Sequence, residues 1–339
     1  MSQSQEDQNQ LFSNLSIASS NPLIGKRFLF LTSESFLILF HESSHRDEGR
    51  TDKGERMTRA VTGFWCLVQA LIVLALVVSC ARNADAEETW QAGMAVYHSR
   101  GDYGTGSTTT ITSVPLSIRR LFQDGDVTLL VPFLSVTSDC SVTLLSGVPN
   151  QTGGTCSQTT ITTKNGKQVK GLRPTTTTES GIGDVILRAR YYVVDEHGLV
   201  PTVAVTAKIK FPTADRDRGL GTGEFDEGLG LQVSKKLTEA WISFADLGYT
   251  NLGNPPGVTL RNQWNYDLGV GYYFTKTLLG SVYYEEWTAV VSGRPNPRDL
   301  LVAMNYTATS AWRLNTSIAR GLSDGAPNWA LTAGLSMRF

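Results

Sequence analysis

From residue 328 to the last residue the chain alternates without a break. Trp329, Leu331, Ala333, Leu335, Met337 and Phe339 take one side of an extended strand, and Asn328, Thr332, Gly334, Ser336 and Arg338 the other. The same period-two signal predicts strands near 89–99, 107–122, 124–138, 183–194, 199–213, 225–237, 240–253, 261–275, 278–291, 298–309, 311–323 and 328–339. In the fourth, Val185, Leu187, Ala189, Tyr191 and Val193 oppose Asp184, Arg188, Arg190 and Tyr192. In the fifth, Val203, Val205, Ala207, Ile209 and Phe211 oppose Thr202, Thr206, Lys208 and Lys210. The eighth sets Trp264, Tyr266, Leu268, Val270, Tyr272 and Phe274 against Gln263, Asn265, Asp267, Gly269 and Gly271, with aromatic residues at both ends of its oily side. The third, with Leu129, Leu130, Val131 and Phe133, and the seventh, with Asp246 in line with Ile242 and Phe244, have no clean facing.

The connections alternate in length. Residues 123–126, 195–198, 237–240, 275–277 and 309–311 are tight turns, whereas 100–106, 139–182, 212–224, 251–260, 292–297 and 324–327 are mostly longer and rich in Gly, Pro, Asp and Thr. Short turns on one side, longer loops on the other and strands of roughly 9–11 residues or more are the signature of a transmembrane barrel. The fold class is therefore all-β, an antiparallel transmembrane β-barrel of about twelve strands in a bacterial outer membrane. A soluble sandwich or lipocalin-like barrel is the rival, but its strands are typically about five or six residues long. The terminal aromatic, Phe339, is read as an assembly signal that guides closure of the last strand against the first, and the barrel assembly machinery is the expected partner.

Composition hides this. The 339 residues are 41% hydrophobic and 18% charged, ordinary values for a soluble protein, because each strand averages an oily and a polar face. A net charge of -1 without a basic run argues against nucleic acid. The strongly apolar stretch is 57–86, where Arg59 precedes an apolar run from Phe64 to Val78 and the small-residue site Ala84-Asp-Ala86, which reads as a signal peptide cut before Glu87. Cys80 offers an alternative lipoprotein cut. Residues 1–56 are a non-native or disordered extension, with Met57 a candidate start. The working protein is then 87–339, with a long Thr-rich outside loop at 139–182. Its two cysteines, Cys140 and Cys156, share that loop, and export to an oxidising compartment favours a disulfide between them.

Candidate chemistry is electrostatic. Arg188, Arg190, Lys208, Lys210 and Arg313 fall on the polar sides of their strands, as do Asp184, Asp226, Asp267 and Glu285. Two readings stay open: ion pairs that fill a narrow barrel, or a charged lining that selects solutes. The segment 215–227 holds several carboxylates, but Arg216 and Arg218 among them favour a solvated loop over a calcium site. No metal or other cofactor is called for. The Gly219-Leu-Gly-Thr-Gly223 run lacks the Lys-Ser or Lys-Thr ending of a phosphate cradle. An enzyme is not expected either: His98 and Ser99 are neighbours on opposite faces of a strand, and His197 lies in a tight turn.

Ser180-Gly-Ile-Gly-Asp184, Lys210-Phe-Pro-Thr213, Gly221-Thr-Gly-Glu-Phe-Asp226, Gly248-Tyr249 and Gly321-Leu-Ser-Asp324 together resemble an outer-membrane transporter family associated with the phenol meta-degradation pathway. The resemblance is good over 180–339 and loose over 87–180. It implies an outer-membrane channel, with no assigned binding residues. The function expected is passive or binding-assisted uptake of small solutes, aromatic or hydrophobic compounds among them, with outer-membrane lipid and lipopolysaccharide around the barrel. The alternative is a closed structural or adhesion barrel plugged by its own ion pairs.

Overall fold

The computed structural model describes residues 89–138, 142–145, 147–151, 158–162, 168–172 and 176–339. The extension 1–56, the signal segment 57–86 with Cys80, and both Cys140 and Cys156 lie outside the described residues. The strands are β1 (Thr89–Gly101), β2 (Thr109–Phe122), β3 (Gly125–Ser138), β4 (Val142–Leu145), β5 (Val148–Gln151), β6 (Gln158–Thr162), β7 (Gln168–Leu172), β8 (Thr177–Ile182) and β9 (Val185–Val194). They continue as β10 (Thr202–Phe211), β11 (Asp226–Lys236), β12 (Trp241–Leu252), β13 (Gln263–Thr275), β14 (Leu278–Trp287), β15 (Arg298–Thr307), β16 (Trp312–Gly321) and β17 (Trp329–Arg338).

Each long strand pairs antiparallel with its sequence neighbours, and β1 pairs with both β2 and β17, so the sheet closes on itself. The other closing position is composite. β3 pairs with β8 through Phe133–Ser138 and with β9 through Gly125–Leu130, which makes β8 and β9 two lengths of one wall strand interrupted at Gly183 and Asp184. There the Gly183 amide donates to the Pro132 carbonyl at 2.8 Å. Counted this way the barrel has twelve strands. Closure satisfies every edge, as lipid requires of a spanning sheet.

The expected outside loop 139–182 is corrected at its end, because Thr177–Ile182 is wall rather than loop: it lengthens the fourth barrel strand toward the outside. Earlier in that segment the hairpins β4–β5 and β6–β7 form. Strand 278–291 also ends sooner, at Trp287, since the chain turns away where the Thr288 amide donates to Trp264 and Val290 accepts from Arg261.

Burial gives the facing of each strand. On β13 Trp264, Tyr266, Leu268, Val270, Tyr272 and Phe274 are exposed, while Gln263, Asp267 and Gly271 are buried. A barrel surrounded by lipid exposes its oily side in this way. Trp264 and Phe274 stand ten positions apart on β13, about 34 Å along a strand and about 26 Å in height at a tilt of roughly 40°. Trp90, Trp241 and Trp312 join Phe274 near the tight-turn end. The two strands without a legible facing are now explained. On β3 Leu130, Leu134 and Val136 point in while Leu129, Val131 and Phe133 point out, so both faces are apolar and the alternation cancels. On β12 Ile242, Phe244 and Asp246 all point in, because that part of the inner face is itself apolar.

Candidate functional site

The inner face separates its charges. Across β2, β3, β9 and β10 the register sets Arg119, Thr128, Arg188 and Lys208 in one row. Across β12 to β15 it sets Asp246, Asp267, Glu285 and Asp299 in another, each directly opposite the next. One wall is thus basic and another acidic, a consequence of register that no single strand reveals.

Within the basic wall the charges are tied down. Asp126 accepts from Arg190 Nε at 2.9 Å and Nη2 at 2.8 Å, and Arg119 Nε lies 3.4 Å from its other oxygen. Lys210 Nζ sits 2.7 Å from Asp226 Oδ2 and 3.2 Å from Asp184 Oδ2, and donates to Thr222 Oγ1 at 3.0 Å. All of these groups are largely buried, where only paired charges are tolerable. Of the residues singled out from the sequence, Asp184, Lys210 and Asp226 meet in one cluster, Arg188 and Lys208 are register neighbours, and Asp267 and Glu285 are register neighbours on the acidic wall. Arg190 belongs with Asp126, and Arg313 lies apart near the tight-turn end, its Nη1 3.5 Å from Gln91 Oε1 across β17.

Four members escaped sequence reasoning. Arg119 and Asp126 lie near the turn between β2 and β3, where Asp126 falls within the 123–126 turn of the sequence and the strand after it has no clean facing. Asp246 was hidden by Ile242 and Phe244, and Asp299 stands alone at the head of its strand. Parity counted from an adjacent clear strand would have found Asp299, two positions before inward Leu301.

Apolar layers flank the charges. Toward the loops, Tyr103, Ile111, Leu134, Val136, Leu144, Ala214 and Leu220 cluster, and Leu145, Leu252, Leu260, Trp287 and Val290 form a second group. The β4–β5 hairpin supplies Leu144 and Leu145 to these two groups, pinned by the Leu144 amide donating to the Gly219 carbonyl at 2.9 Å. Tyr103 adopts φ 51°, and its buried hydroxyl shares a 2.7 Å hydrogen bond with Ser99. Burial raises that phenol's pKa well above its usual value. Toward the tight turns, Phe244 and Tyr283 stack at 5.5 Å between centroids, over Gly269. A Cβ at Gly269 would collide with the Tyr283 ring, so glycine there makes the aromatic pair possible.

The remaining candidates settle simply. In the 215–227 segment Arg218 binds Glu179 at 2.8 Å, and Asp226 is committed to Lys210. His98 faces out, bonded to Thr112 at 2.9 Å and against Trp329, while Ser99 faces in. His197 Nδ1 lies 3.0 Å from the Asp195 carbonyl in its turn. Phe339 exchanges two 2.8 Å backbone hydrogen bonds with Trp90, fastening the last residue to the first strand.

A closed barrel of twelve antiparallel strands, oily outside and charged within, defines a bacterial outer-membrane β-barrel. Residues 134–339, more than half of the chain, match the family described as "Putative MetA-pathway of phenol degradation", and the chain belongs to that family. Among solved structures it is similar to the COG4313 outer membrane channel from Pseudomonas putida F1, with a TM-score of 0.58 at 15% identity, covering 76% of this chain and 97% of that one. Weaker likenesses are to the KdgM porin, with a TM-score of 0.43 at 8% identity over 73% of this chain and 99% of that one. The Pseudomonas putida toluene transporter TodX gives 0.38 at 11% identity over 75% and 90%. No curated protein matches the chain.

Proposed function

We propose that the barrel is an outer-membrane channel for small solutes with an apolar, aromatic body, and that Asp184, Arg188, Lys208, Lys210, Asp226, Asp267 and Glu285 belong to its lining. The observation that carries the reading is the Phe244–Tyr283 pair on the inner face, seated over Gly269 with Ile242 and Leu279 beside Gly271. A flat apolar solute gains contact from such a surface. The family description, with its reference to phenol degradation, supports the same solute class. Passage is passive or assisted by binding, and no catalytic step is assigned.

Uptake of phenol and of an equally small sugar alcohol into proteoliposomes tests this reading. Faster entry of phenol than in protein-free vesicles, with no matching gain for the sugar alcohol, is the expected result, and Phe244→Ser should diminish it. Equal gains for both solutes would refute the selectivity.

A closed structural barrel is the second reading, favoured by one observation: Leu144 and Leu145 of the long loop are buried in the two apolar groups at the outer end. Single-channel recording separates the two, since a closed barrel gives no conductance steps. The same export route supports a mature chain starting at Glu87 and a Cys140–Cys156 disulfide, which alkylation of both thiols without reductant would disprove.

A further inference from the structure

We propose that the outer rim of the wall formed by β16, β17 and β1 is a docking site for the phosphate groups of lipid A in the outer leaflet. Arg100 on β1 and Arg320 on β16 are the register partners of the same residue, Trp329 on β17, one from each side. All three face outward. Alternation puts Arg100 in line with exposed Met94 and Val96, Arg320 with exposed Ile318, and Trp329 with exposed Leu331. They occupy the last rungs before the longer loops, since β1 ends at Gly101, β16 ends at Gly321 and β17 begins at Trp329.

A cation on the lipid side of a barrel is costly within the hydrocarbon and is welcome only where phosphate meets it. The indole between the two arginines marks that level, because Trp belongs at the boundary of hydrocarbon and headgroups. Its ring is held from below by His98, 5.3 Å away between centroids. Arg100 has no hydrogen-bond or ion-pair partner among the described residues, and Arg320 uses a single donor, Nη1, on the Asn328 carbonyl at 3.0 Å. Two strand spacings separate their Cα atoms by about 10 Å, a gap that two forked guanidiniums can close over one phosphate.

The acidic groups nearby do not cancel this charge. Asp102 and Asp324 stand in the adjoining loops, with the Asp102 carboxylate turned to the Gly104 amide at 3.0 Å. Glu286, on the same outer surface two strands beyond, accepts from Tyr266 and Tyr284 at 2.6 Å each and from Asn296 at 3.0 Å, with Arg298 beside it. Across the barrel the equivalent rim is acidic, carrying Glu224 and Glu227 around exposed Phe225. Arg100 and Arg320 thus flank Trp329 where the first and last strands meet, and a phosphorylated lipid bound there would bridge the closing seam from β16 to β1.

Native mass spectrometry of the folded barrel in mild detergent, titrated with lipid A, tests the site. Wild type should carry one lipid A that survives gentle activation. Arg100→Gln with Arg320→Gln should weaken binding about tenfold or more, the scale expected for losing two charge-assisted phosphate contacts. Arg320→Gln alone should fall between, and gives the reading if the double variant folds poorly. Chemically dephosphorylated lipid A should not bind, and millimolar inorganic phosphate should not displace the intact lipid. Lys276→Gln, which removes an exposed cation at the opposite end, should leave binding unchanged. Equal lipid A binding by wild type and the arginine variants, or equal loss in Lys276→Gln, would overturn the proposal.

Discussion

Arg190 and Asp126, 64 positions apart in the chain, meet through two hydrogen bonds of 2.9 and 2.8 Å on adjacent strands inside the barrel. Removing one partner strands a buried charge, whereas removing both does not. Arg190→Leu should therefore lower stability by about 3–5 kcal/mol, read as the urea midpoint of the folded, heat-modifiable band. Arg190→Leu with Asp126→Leu should recover most of the loss. A double variant as unstable as the single would show that the pair is not coupled.

The segregated rows predict opposite effects on ion selectivity. Arg188→Gln with Lys208→Gln should move the reversal potential of a salt gradient toward cation preference, and Glu285→Gln with Asp299→Asn toward anion preference. Arg190 is unsuited to this measurement, because its role in holding Asp126 confounds selectivity with folding. Identical reversal potentials in both variants would remove these rows from the conducting path.

Leu144 and Leu145 anchor the loop hairpin in the outer apolar groups. Replacing both with Ser should release it, raising single-channel conductance while the barrel still resists sodium dodecyl sulfate before heating. Unaltered conductance would mean that the hairpin does not narrow the path.

Ala207 alternates with inward Lys208 and so lies on the outer side, its small side chain itself buried, between Ala189 and Leu229 in the register near the middle of β10. Ala207→Arg places a cation against the hydrocarbon and should cost about 2–4 kcal/mol if the site is near the bilayer midplane. Full stability of that variant in a urea titration would contradict the facing of the whole strand, since a slip of one residue exchanges its two sides.

Deleting Phe339 removes both of its hydrogen bonds to Trp90 and an exposed aromatic at the tight-turn rim. The amount of folded barrel in outer membranes should drop at ordinary expression. Undiminished folding would rule out a guiding role for this residue.

The oily side of β13, or of β17, was legible in the sequence because lipid imposes one strict demand: what faces it is apolar. Alternation then marks the strands, their direction follows from tight and long connections, and Lys208, Lys210, Arg188 and Arg190 fall inward without any structure. The inner face obeys no such rule. Its side chains pack against one another, so Leu130 and Leu134 on β3, and Ile242 and Phe244 on β12, are as acceptable there as Asp or Arg, and the period-two signal cancels in those strands. Nor does a strand's pattern say how far it slides against its neighbour. Register alone brings Asp246, Asp267, Glu285 and Asp299 level, gives Arg190 to Asp126, and sets Arg100 and Arg320 on either side of Trp329. The fate of the long loop was equally hidden, because Leu144 and Leu145 are two ordinary apolar residues until the barrel mouth exists to receive them, and contacts between distant segments are set by closure of the whole sheet rather than by any local preference.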